Sequence, residues 1–100
     1  MPVYTITFEL NGEGGKRDYA GLVEELKKQR CHPVLRNHWL GSFKNSAVQV
    51  QNHFRKLIGK TDRIMVAELF RHYAYANSLP NCSKWLELNP PADQAASAPV

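Results

Sequence analysis

The chain has 100 residues, 43% of them hydrophobic and 22% charged, and a formal charge of +4. That length makes a single domain able to bury roughly two thirds of its unfolded surface. No apolar run approaches the roughly 20 residues needed to cross a bilayer, so no membrane partner is expected. The chain opens directly on a strand pattern, without the charged and apolar regions of a leader, so a cytoplasmic protein is expected. The positive excess suits phosphate-bearing partners. Its basic residues gather locally, at Lys16-Arg17, Lys27-Lys28-Arg30 and Arg55-Lys56, as they also do on solvated helix faces. Cys31 and Cys82 are expected to be reduced thiols. With His32 and His72 they match no zinc-ligand spacing, so no zinc site is expected.

Val3 to Asn11 alternates, with Tyr4, Ile6, Phe8 and Leu10 on one side and Val3, Thr5, Thr7 and Glu9 on the other. A period of two carried by β-branched and aromatic residues predicts a strand with one buried face. Gly12-Glu13-Gly14-Gly15 stops it and leaves Glu9 near its end. Strand ends beside loops often carry chemistry, which makes Glu9 the first candidate for an active carboxylate. The glycines ahead of a helix, with Lys16-Arg17 beside them, fit neither phosphate-loop pattern and read as a connection. Asp18 is the expected N-cap of a first helix from Tyr19 to about Arg30, whose Tyr19, Leu22, Val23 and Leu26 recur at i, i+3, i+4 and i+7.

His32 to Phe43 reads as extended: either one bent strand or two short strands divided at Arg36-Asn37. Ser46-Ala47-Val48-Gln49 is a capping box. It opens a second helix with Ala47, Val50, Phe54, Leu57 and Ile58 inward and Gly59 as its C-terminal cap. Asp62 to Phe70 is so short of polar positions that a central strand is expected. Arg71 to Ser83 reads as irregular, and Lys84 to Leu88 as a short final strand. The expected domain is 1–88, followed by a disordered, Pro- and Ala-rich tail at 89–100. This order predicts an α+β, ferredoxin-like βαββαβ sandwich with an additional short C-terminal strand, both helices stacked on one face of an antiparallel sheet.

His38, His53 and His72 are the candidate bases. His53 lies between inward Val50 and Phe54 and reads as a boundary residue, and His38 beside Trp39 as a packed strand histidine. Glu68, near the end of its strand, is a candidate second acid. No serine or cysteine has a nucleophile setting, so acyl transfer is not expected.

Phe8-Glu9-Leu10-Asn11, His32 to Gly41, the capped second helix, Asp62 to Leu69 and the aromatic final segment together resemble the small Cas-two-like proteins of CRISPR systems. The likeness is to the SinR family above all, and it extends to the VapD ribonucleases that share the fold. It spans roughly Val3 to Leu88. It implies a homodimer in which the last strand, with Trp85, Leu86 and Leu88, crosses to the partner's sheet, and it implies nucleic acid as partner. Nuclease-active members carry an aspartate where Glu9 stands, and two copies face each other across the dimer axis. The added methylene moves the carboxylate, and about 1 Å of displacement costs on the order of a hundredfold in rate.

The functional expectation is therefore a dimeric nucleic-acid-binding or scaffold protein without efficient catalysis, its contacts coming from Lys16, Arg17, Arg36, Arg55 and Lys56. One alternative is a weak metal-dependent endonuclease, with paired Glu9 carboxylates holding Mg²⁺. The other is a protein-interaction module, such as an inhibitor or antitoxin, that binds a protein partner through the aromatic run from Tyr73 to Trp85. As a single residue, Glu9 reads first as a solvent-facing strand position.

Overall fold

The computed structural model describes residues 1–10 and 20–92, so the glycine loop, Asp18, Tyr19 and the last eight residues of the expected tail lie outside the described residues. The architecture is mixed α+β: a four-stranded antiparallel sheet and three helices. In chain order these are β1 (Val3–Glu9), α1 (Ala20–Lys28), β2 (His32–Leu35), β3 (His38–Ser42), α2 (Ala47–Arg55), β4 (Arg63–Leu69) and α3 (Cys82–Leu88). The sheet order is β2-β3-β1-β4. β1 is thus central, and each β-α-β unit has one strand of the other unit inserted between its own two.

The alternation in β1 sets the layers. Tyr4, Ile6 and Phe8 join Trp39, Leu22, Leu26, Val50 and Phe54 in one buried cluster, so α1 and α2 cover the same sheet face. On the opposite face Leu40 packs with Cys82 and Leu86, with Val34, Leu69 and Trp85 at the margin. The register follows: Ile6 lies opposite Trp39 on the helix-covered side, Thr5 opposite Leu40 on the other.

Local chemistry explains the element ends. The capping box at α2 is formed in both directions, Gln49 N donating to Ser46 Oγ at 3.2 Å and Ser46 N to Gln49 Oε1 at 2.9 Å. α1 closes by a Schellman arrangement in which Cys31 N donates to Leu26 O and Arg30 N to Lys27 O. Its left-handed residue is Arg30 (φ 62°) rather than the glycine such a position favours. The 32–43 stretch is a hairpin that turns at Arg36-Asn37, with Leu35 paired to His38 and an irregularity between Pro33 and Leu35. α2 ends at Arg55 with Lys56 as its cap, not at Gly59. Gly59 N instead donates to Asp62 Oδ2 at 2.6 Å, closing the turn into β4. Leu57, expected inward, lies past the helix and is exposed.

Three expectations are corrected. Lys84 to Leu88 is not a strand but part of α3. Cys82, Trp85 and Leu86 stand at i, i+3 and i+4, which brings them to one side of a helix and seats Cys82 and Leu86 on Leu40. Trp85 donates from Nε1 to Arg30 O and stacks near His32, so Trp85 and Leu86 are covered by their own chain and do not form an exchanged strand. Of the three residues assigned to a dimer interface, only Leu88 projects freely, at 73% exposure. Secondly, β4 is an edge strand, not a central one. It is apolar on both sides because Ile64 and Val66 meet the α1–α2 cluster while Leu69 meets the α3 cluster. Thirdly, the domain runs past residue 88: Pro91 is buried, Ala92 bridges to Phe70, and Arg71 donates from Nε to Pro91 O and from its backbone N to Ala92 O.

The helix assignment predicts unequal costs at two neighbouring leucines. Leu86→Ala is expected to lose about 2–4 kcal/mol in urea unfolding, because it empties the α3 seat, whereas Leu88→Ser is expected to be nearly neutral. Equal large losses at both positions would contradict the helix and favour an alternating strand.

Candidate functional site

β1 delivers Glu9 to one end of the sheet, and the connections place most of the charged residues of interest at that same end. The β2–β3 turn arrives there, since Asn37 O accepts from Phe8 N at 3.0 Å. β4 starts there, with Arg63 directly opposite Glu9 in the register. α2 begins at the other end, where Asn45 O accepts from the Tyr4 hydroxyl at 2.6 Å, and it runs back toward the start of β4 with Arg55 and Lys56 at its close. Arg36, Arg55 and Lys56, all exposed, are therefore joined by Lys60 and Arg63 around the end of β1. Lys16 and Arg17 lie outside the described residues.

Glu9 itself is occupied by a cation. Arg63 Nη1 donates to Glu9 Oε1 at 2.7 Å, with the two side chains 77% and 59% exposed respectively. A pair this open is worth about 0–1 kcal/mol, so it adds little stability, and it places a positive charge directly beside the carboxylate. The shallow groove around it is lined by Thr7, Asn37, Arg63 and Met65 and, among the described residues, contains no second acid. Glu68 does not supply one. It pairs in register with Tyr4 rather than Glu9, five positions or about 17 Å away along the strand, and on the opposite face. Among the described residues no three His, Cys, Asp or Glu side chains cluster as a metal site. Within one chain these residues do not fit Mg²⁺, and no catalytic step is assigned to Glu9.

The histidines divide. His38 sits half-buried on the open sheet face, its Nδ1 3.4 Å from Thr7 Oγ1, and burial pushes its pKa below the usual 6.5. His53 is exposed rather than a boundary residue. Its Nε2 lies 2.7 Å from Glu25 Oε2 across the two helices. The Glu25 carboxylate is held below its usual range by the Gln29 amide first and His53 second. His72 is exposed. The buried Cys31 thiol is pushed up to about 12 by burial and by Glu25, which leaves it protonated and unreactive.

The open face of the sheet is partly roofed by α3 and residues 71–80. Between them lies a groove of about 350 Å³ floored by Thr5, His38, Leu40 and Leu69. Tyr73 and Tyr75 stack parallel at its side, 6.3 Å apart. Leu35 at its rim and Met65 beyond it remain exposed, at 48% and 69%. No helix among the described residues is long and apolar enough to cross a membrane.

The sequence pattern singles out Glu9, Arg36, Arg55 and Lys56, and gives no sign that Lys60 and Arg63 stand at the same end or that Glu25 and His53 meet. Arg63 becomes relevant only through strand register, which has no local signal. His53 has one: with Gln49, Asn52 and Lys56 it forms a polar row at helical spacing. No protein-family model matches the chain, and no solved structure matches it.

The half-buried His38 predicts a pH dependence. Its folded-state pKa lies below the unfolded one, so between the two values the unfolded chain binds more protons and stability rises with pH. Stability is therefore expected to be lost as pH falls below 6.5, and His38→Phe is expected to abolish that slope in urea unfolding. The Glu25 contribution is lost only below its usual 4.5, so its loss begins at lower pH than that of His38. An unchanged slope in His38→Phe would assign the effect elsewhere.

Proposed function

We propose that the chain is a nucleic-acid-binding homodimer of the Cas-two-like, SinR type, built on a ferredoxin-like fold and acting as a scaffold rather than an efficient enzyme. The observation that carries this reading is the gathering of Arg36, Arg55, Lys56, Lys60 and Arg63 around the exposed end of β1. A phosphate backbone answers such a cluster without base contacts. The sheet order β2-β3-β1-β4, with its two interleaved β-α-β units, supports the ferredoxin-like assignment. The stretches Phe8 to Asn11, His32 to Gly41 and Asp62 to Leu69 still support the resemblance. The final segment no longer supports it as a strand.

RNA-binding sheets of this general layout stack bases on aromatics of their central strands. Here Thr5, Thr7, His38 and Leu40 hold the corresponding face of β1 and β3. The contact is accordingly assigned to the basic end and to phosphates. The endonuclease reading needs a Glu9 carboxylate free of Arg63, and nothing in the geometry favours it. Self-association is assigned to the open face, where Met65 on the edge strand β4 and, toward the opposite edge, Leu35 with the Tyr73–Tyr75 pair leave apolar side chains exposed. Strand exchange through Trp85 to Leu88 is not part of the proposal.

Anisotropy titrations of labelled single- and double-stranded oligonucleotides test the binding. Affinity is expected to fall steeply with salt, and Arg36→Gln, Lys56→Gln and Arg63→Gln are each expected to lower the log–log salt slope by about one. Glu9→Gln is expected to strengthen binding by releasing Arg63 and removing a negative charge. A metal nuclease would instead lose its cleavage. Absence of binding at low ionic strength ends the reading. In light scattering, Met65→Lys is expected to convert a dimer to a monomer. A monomer from the unaltered chain would remove the dimer from the proposal.

A further inference from the structure

On the helix-covered side of the molecule a groove of about 360 Å³ lies between the end of α1 and the flank of α2. It shares no lining residue with the groove at Glu9. Gln49, Asn52, His53 and Lys56 all line it, at i, i+3, i+4 and i+7 of α2 and its cap. That spacing brings side chains to one side of a helix. Gln29 just past the end of α1 and Asn45 from the bend before α2 complete the lining.

Some of these polar groups are already engaged. Gln49 Oε1 accepts from Ser46 N, Gln29 Nε2 donates to Glu25, and His53 is anchored on the same carboxylate. The Asn45 and Asn52 carboxamides and the Lys56 ammonium make no hydrogen bond or ion pair with any described residue. The groove also has aromatic walls. The His53 ring stands edge-on to buried Phe54, with centroids 5.1 Å apart, and half-buried Phe43 meets Phe54 at 66°.

Each part narrows the guest. A carboxamide offers donor and acceptor together, which matches the mixed hydrogen-bonding edges of a nucleobase. The exposed imidazole and the Phe43 ring suit a flat aromatic guest. One uncompensated cation suits one phosphate, and the carboxylate beside the groove, Glu25, is engaged by the Gln29 amide and His53. The volume falls in the roughly 300–1,000 Å³ range of small-molecule sites. We propose that this groove binds a nucleobase that carries a phosphate, with Asn45 and Asn52 at the base edge and Lys56 on the phosphate. The guest is a free nucleotide or one base of a bound strand. In its strand form the inference rests on the nucleic-acid reading above; in its free-nucleotide form it stands alone.

Nitrogen-15 spectra of the full chain test it through the side-chain amide signals of Asn45 and Asn52. The probes are the four ribonucleoside 5′-monophosphates, the matching nucleosides, a short homopolymeric oligonucleotide, ribose 5-phosphate and inorganic phosphate. At least one monophosphate is expected to shift both amides saturably, more tightly than ribose 5-phosphate. Asn52→Leu is expected to weaken it about tenfold at an unchanged melting temperature, and Lys56→Gln to weaken the monophosphate about tenfold but not the nucleoside. The same shifts at higher affinity with the oligonucleotide assign the guest to a strand, and shifts with monophosphates alone assign it to free nucleotide. The double variant Arg36→Gln, Arg63→Gln leaves the groove intact, so it keeps monophosphate binding even where strand binding is lost, and the two readings fail separately. The proposal is overturned if neither monophosphates nor the oligonucleotide move the amides, or if phosphate alone moves them equally.

Discussion

The structure depends on β1 being paired on both edges. Val3 to Glu9 bonds to β3 on one side and to β4 on the other, antiparallel in both directions. Its alternation sends Tyr4, Ile6 and Phe8 under α1 and α2 and leaves Thr5, Thr7 and Glu9 on the opposite face. A slip of one residue would exchange these sets and place threonines and a carboxylate beneath the helices, so the register is strongly held. Once it is held, the positions of the β2–β3 turn and the start of β4 follow, and with them the basic end.

What was legible in the sequence was what local chemistry decides. The period of β1, the reciprocal Ser46–Gln49 cap and the break at Arg36-Asn37 each rest on residues only a few positions apart, and each appears where expected. α3 was not legible. Trp85, Leu86 and Leu88 satisfy a short strand pattern, while Cys82, Trp85 and Leu86 satisfy a helical one, and over seven residues neither period wins. The decision is tertiary, made by the seat that Leu40, Val34 and Leu69 offer. The place of β4 was misread for a related reason. Apolar residues on both its sides are usually the mark of an interior strand, but here they meet different helices on the two faces of an edge strand.

The candidate site shows the same division. Glu9 was legible because strand ends are visible in a pattern. Its most consequential neighbour, Arg63, was not, because register across fifty-four residues leaves no local trace. That neighbour changes the chemistry more than the stability. An exposed pair contributes little to folding, yet a guanidinium beside the carboxylate competes with a metal ion for it and offsets its repulsion of a phosphate. The same contact thus weighs against catalysis and in favour of anion binding.

The basic residues also satisfy the fold. Arg55 and Lys56 close α2, where cations complement the helix dipole, and that role alone would account for their presence. It does not account for the flank beside them, where the Asn45 and Asn52 carboxamides face one concavity without the structural partners that Gln49, Gln29 and His53 have. Lys56 belongs to both settings: it caps α2 next to the connection that leads to Arg63, and it lines the groove. A strand whose phosphates followed the basic end would meet Lys56 at the groove, so the two proposed contacts share one residue.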